Sequence, residues 1–135
     1  MMSEISKSYL TVDVASWPIV TLTTAGSPTD DQLRQHLKEI ETQVLHQSRD
    51  FVQIIDQRKA ETLHAGQRAI IAEHQLEMAD LYGRYCRGEA YVASETMKGV
   101  MIAVFWQAKP PYPYQFFETL QDAEVWARQT LARLR

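Results

Sequence analysis

The chain has a single cysteine, Cys86, in 135 residues. No intrachain disulfide can form, so the fold rests on packing and hydrogen bonds, and a reducing compartment is the natural setting. Positive charge is not in excess: 14 Lys and Arg stand against 17 Asp and Glu, a net charge of -3. A broad basic field for a polyphosphate is therefore missing, which disfavours nucleic-acid binding. Long apolar runs are missing too. The longest, Val100 to Trp106, falls far short of the roughly 20 residues that cross a bilayer. Met1 to Lys7 has no apolar centre of the signal-peptide kind. These features predict a cytoplasmic protein with no membrane span. With only 5 glycines and 5 prolines, and with no repeat or low-complexity stretch, one domain over residues 1–135 is expected.

Motifs that carry chemistry are scarce as well. There is no P-loop, no G-x-G-x-x-G and no G-x-S-x-G. The four histidines, His36, His46, His64 and His74, form no pair at metal-ligand spacing, so no metal is expected. His74 falls on a helix stripe and reads as a partly buried structural histidine. Cys86 falls at a predicted helix C-terminus, where the dipole raises a thiol pKa, so it does not read as a nucleophile. Asp13, Asp56 and Glu118 lie on or beside predicted strands, but nothing in the sequence pairs them as acid and base. No catalytic residue and no cofactor is assigned, and the protein reads as a non-enzyme.

What is present is an ordered alternation of elements. Tyr9 to Val14 alternates, with Leu10, Val12 and Val14 on one face, as a half-buried strand does. A short turn through Trp17 and Pro18 leads to a second strand, Ile19 to Thr23, in an antiparallel hairpin. Ser27, Pro28 and Asp30 mark a helix start, with Leu33, Leu37, Ile40 and Val44 as its stripe. Phe51 to Asp56 is mostly apolar, as a central parallel strand should be. A long helix is predicted from Ala65 to about Cys86, with Gly88 as its stop. Ala90 to Ser94 forms a strand, and Ser94 or Thr96 caps a helix from Met97 to about Ala108. That helix is apolar almost all round, and Gly99 and Ala103 would let it approach a neighbour closely. Tyr114 to Glu118 is a fifth strand. Thr119 with Asp122 opens the last helix, striped by Ala123, Trp126, Ala127, Leu131 and Leu134.

The order β-β-α-β-α-β-α-β-α resembles the STAS domain, found in sulfate-transporter tails and anti-sigma-factor antagonists. A closer likeness is to uncharacterised bacterial STAS-like proteins. It rests on Ile54-Ile55-Asp56-Gln57-Arg58, on Lys98-Gly99 opening a helix that ends in Phe105-Trp106, and on Pro111-Tyr112-Pro113 followed by Phe116-Phe117 and Ala123 to Ala127. The resemblance implies an α/β fold of SpoIIAA-like type. This is a right-handed βα superhelix with a mostly parallel five-stranded sheet, an antiparallel N-terminal edge strand and four helices.

Two candidate surfaces emerge. The first is the mouth between the third strand and the long helix, with Asp56, Arg58, Lys59, Thr62, His64, Gly66, Gln67 and Arg68. Ligands gather at the C-terminal ends of parallel strands, and helix N-termini there favour anions. Asp56, Arg58, Gln67 and Arg68, with Lys98 from the next helix, are the candidate anion site; the bland alternative is a structural ion pair. In anti-sigma-factor antagonists this loop carries a phosphorylated hydroxyl, but here Leu63-His64-Ala65-Gly66 lacks it, leaving Thr62 as the nearby hydroxyl. The second is the aromatic and proline cluster from Phe105 to Phe117, in which Tyr112 and Tyr114 are expected to be exposed as an interaction surface. The leading expectation is a regulatory or protein-interaction module with an unknown protein partner. The alternative is a small-molecule or lipid-binding module with an anionic-headgroup site. A homodimer through the N-terminal edge strand and Trp17 is a further expectation.

Overall fold

The computed structural model of the chain describes residues 8–61 and 63–134. The expectations for Met1 to Lys7 and for Thr62 lie outside the described residues. Five strands form one sheet in the order β1-β2-β3-β4-β5. They are β1 (Tyr9–Asp13), β2 (Ile19–Gly26), β3 (Phe51–Ala60), β4 (Cys86–Val92) and β5 (Tyr114–Phe117). β1 runs antiparallel to β2, as the short link requires, and every other pairing is parallel. The helices are α1 (Asp30–Gln43), α2 (Ala65–Glu77), α3 (Ala79–Tyr85), α4 (Glu95–Gln107) and α5 (Leu120–Ala132).

Alternation along the strands sorts the side chains into two cores. On one face Val20, Leu22, Phe51, Tyr91 and Ile55 pack under α1 to α4, with Ile40, Tyr82, Met101 and Val104 facing them. On the other face Val52, Ile54, Ala90 and Val92 pack against Ala123 and Ala127 of α5. Local caps fix the helix starts. Thr29 and Gln32 form a reciprocal capping box on α1. Ser94 accepts from the Met97 amide on α4, and Thr119 accepts from Asp122 on α5.

Several expectations are corrected. Thr29, not Ser27, caps α1, because only Thr29 has Gln32 three residues on to complete the box. The expected long helix is two, divided at Met78, so five α-helices are present among the described residues rather than four. Met78, at φ -99° and ψ 9°, ends one helix and opens the next, and Cys86 pairs opposite Phe51 directly after α3. β4 therefore starts at Cys86, and Gly88 is a strand residue rather than a helix stop. Glycine is needed there because a Cβ would sit 2.7 Å from the Trp126 ring. α4 buries Met97, Met101, Val104 and Phe105 but leaves Trp106 87% exposed, and Gly99 has no neighbour within 4 Å of a built Cβ. Close approach through Gly99 is thus not what shapes α4. Leu134 is exposed, outside the buried stripe of α5.

Candidate functional site

At the mouth, β3 continues past Asp56 to Ala60, so Asp56, Arg58 and Lys59 stand on a strand. Asp56 and Arg58, two apart, share a face. The Arg58 Nη2 and Nε donate to the Asp56 carboxylate at 2.8 and 2.9 Å, and the Arg58 amide adds a third bond at 3.1 Å. Burial opposes ionisation of Asp56, but the hydrogen bonds and charge of Arg58 outweigh it and hold the carboxyl below its ordinary value. Gln67 is buried, and its Nε2 donates to the Pro28 carbonyl at 2.7 Å, tying α2 to the start of α1. Arg68 Nη1 donates to the Leu63 carbonyl at 2.8 Å. Lys98 Nζ lies 5.5 Å over the Phe116 ring. His64 caps α2 by accepting from the Gln67 amide, and its Nε2 is 3.3 Å from Asp30. Each of the five candidate residues therefore has an internal partner, and an incoming anion would compete with those contacts.

The aromatic cluster divides. Tyr114 is 40% exposed on the edge strand β5, and its ring packs 4.5 Å from Phe105. Tyr112 is 7% exposed, which corrects the expectation that it lies on the surface. Flanking prolines turn its ring inward, where it packs 5.7 Å from Tyr82 and its hydroxyl donates to Gln75 at 3.4 Å.

The interior holds a polar cluster that sequence reasoning missed. Register places Gln53 of β3 opposite Glu89 of β4, both on the face under α1 to α4. Glu89 is fully buried and accepts hydrogen bonds from Gln53 Nε2 and the Tyr91 hydroxyl. Burial is the dominant influence and pushes its carboxyl up to about 7, against the hydrogen bonds from Tyr91 and Gln53. The Tyr82 hydroxyl lies 2.9 Å from His74 Nε2, and His74 Nδ1 lies 3.6 Å from a Glu41 oxygen. Burial lowers both His36 and His74 to about 4, so both are neutral at pH 7. A neutral His74 has one N–H, and the Glu41 carboxylate favours it on Nδ1, which leaves Nε2 to accept from Tyr82. The only signal for this cluster was a glutamate beside Ala90, Tyr91 and Val92. Reading β4 from Ala90 left it in a loop.

Between the sheet and the helices lies a cavity of about 70 Å³, lined by residues that include His36, Gln53, Gln57, His74, Glu89 and Tyr91. Among the described residues, three buried polar atoms have no partner: His36 Nδ1, Gln53 Oε1 and Gln57 Oε1. All three belong to residues that line it. Cys86 is buried, and burial raises its thiol well above the ordinary value, so at pH 7 it is a thiol rather than a thiolate. Among the described residues no group of three or more His, Cys, Asp or Glu is placed to hold a metal, and no helix is long and apolar enough to cross a membrane.

No family model and no curated protein matches this sequence. Solved structures do match. An uncharacterised DUF3478-family protein with a SpoIIAA-like fold from Shewanella loihica is 16% identical, covering 90% of this chain and 96% of its own, with a TM-score of 0.62. An anti-sigma factor antagonist from Mycobacterium paratuberculosis is 15% identical, covering 90% and 95%, with a TM-score of 0.57. The chain is an α/β protein of SpoIIAA-like, or STAS, fold.

Proposed function

We propose that the chain is a non-enzymatic regulatory module of STAS type that acts in the cytoplasm by binding a partner protein. One structural neighbour is named as an antagonist of an anti-sigma factor, a function exercised on another protein, and this supports the reading. The observation that carries it is Trp106. A tryptophan 87% exposed stands on α4, next to Phe105, which packs on the half-exposed Tyr114 of an edge strand. Aromatic side chains of this kind anchor protein interfaces, and an edge strand offers unpaired backbone groups beside them. At the α2 start His64 caps the helix and Leu63-His64-Ala65-Gly66 carries no hydroxyl, which supports a binder that is constitutive or controlled by a ligand. Tyr112, buried against Tyr82, is not part of that surface.

Photo-crosslinking in the native host tests the proposal. A benzophenone side chain at position 106 or 114 is expected to give one discrete adduct with another protein. The same group at Val125, exposed on α5, is expected to give none. Equal adducts from all three positions, or none from 106 and 114, would remove the reading.

A further inference from the structure

Three buried polar atoms without partners are unusual in one small region, because nearly all buried polar groups find a hydrogen bond. Here all three sit on residues that line a single cavity. A volume of about 70 Å³ is several times what one water needs, so the space admits a molecule of a few non-hydrogen atoms. The polar groups define what kind of molecule. Glu89, Gln53 Oε1 and Gln57 Oε1 are acceptors, and among the described residues no Lys or Arg lines the cavity. Most of the remaining wall is aliphatic, including Leu22, Leu33, Leu37, Ile55 and Ile71. The approach has the same character. Leu10 and His36 line both the cavity and a surface groove of about 450 Å³ between β1 and α1, whose charged residues, among those described, are Asp31 and Glu39.

We propose that this cavity is a binding site for a small organic cation of the short alkylammonium class. Its nitrogen rests on Glu89 and the Gln53 amide oxygen, and its chain lies along the aliphatic wall. The ligand supplies the donor that the orphaned Gln53 oxygen lacks, and its charge compensates a carboxylate that the apolar surroundings otherwise disfavour. The groups around Glu89 do not already supply that charge. Tyr91 and Cys86 from β4, Tyr82 from α3 and Tyr112 from the loop before β5 are buried and neutral at pH 7. His36 from α1 and His74 from α2 are neutral as well, and Glu41 beyond His74 is itself acidic. Near pH 7 a bound cation therefore drives a proton off Glu89. The site goes beyond the partner-binding reading and stands whether or not that reading holds.

Calorimetric titration of the intact protein with n-butylammonium chloride at pH 7, in phosphate and in Tris, tests it. Saturable binding is expected, with an apparent enthalpy that differs between the buffers because a proton is released. Butyrate and 1-butanol at equal concentration are expected to bind at least tenfold more weakly. Glu89→Gln, isosteric and uncharged, is expected to weaken butylammonium by about tenfold or more and to abolish the buffer difference. The proposal fails if butylammonium gives no saturable heat, if butanol binds as well, or if Glu89→Gln binds like the parent protein.

Discussion

Glu89 ties the stability of the protein to pH in a direction opposite to that of most carboxylates. Its carboxyl sits at about 7 in the fold against 4.5 in the open chain. Below pH 4.5 both states hold the proton and the group contributes no pH dependence. Between 4.5 and about 7 the unfolded chain releases the proton first, so stability falls as pH rises, by on the order of 3 kcal/mol across the window. Above 7 the loss is complete. His36 and His74 act in the opposite sense, since burial lowers each from 6.5 to about 4. As pH falls through that range the unfolded chain takes up protons that the fold refuses, and stability is lost. Two histidines outweigh one glutamate on the acid side and are silent above 6.5, which puts the stability maximum of these three groups near pH 6.5. Glu89→Gln removes only the alkaline decline. Urea unfolding across the pH range is expected to show the variant gaining on the parent protein by on the order of 3 kcal/mol between pH 4.5 and 8. Parallel curves would show that Glu89 titrates normally.

Among the elements, α4 carries an uncorrected cost. Gly99 stands inside the helix, exposed, with open space where a Cβ would go. Gly99→Ala is expected to stabilise the protein by about 0.5–1 kcal/mol, read as a raised urea midpoint at unchanged slope, because alanine loses less backbone entropy in a helix. The sequence pattern around Gly99 pointed to close packing. A small residue marks either a tight contact or an unoptimised surface, and only the neighbours tell which. The rest of the fold divides along the same line. Signals confined to a few consecutive residues were legible: the β1–β2 hairpin and the Ser94 and Thr119 caps. Features that depend on register were not. Cys86 to Glu89 reads as a helix end followed by a charged loop until β4 is laid beside β3 and Glu89 meets Gln53. Tyr112 reads as a loop residue until Gln75 of α2 is placed beneath its hydroxyl. The cavity draws its wall from four strands and four helices, so no local pattern announces it.

At the scale of the whole molecule the sheet is covered unevenly. α1 to α4 cover one face, whereas α5 alone covers the other, and it does so over β3, β4 and β5. On that second face Tyr9, Thr11 and Asp13 of β1 are exposed, and Ile19, Thr21 and Thr23 of β2 are half-buried. β1 thus lies at an edge and is open on one side, while β3 is flanked by strands on both sides and by helices on both faces. Local opening of β1 breaks one ladder and exposes little apolar surface; opening of β3 breaks two ladders and both cores. Amide exchange tracks this difference, because an N–H exchanges through the least costly opening that frees it. Residue-resolved hydrogen exchange is therefore expected to show β3 and β4 amides exchanging only through global unfolding, with β1 and β5 amides exchanging orders of magnitude faster. Protection of β1 equal to that of β3 would mean that the open face is covered in solution, and a second copy on the N-terminal edge strand is the covering that sedimentation at the same concentration would then reveal.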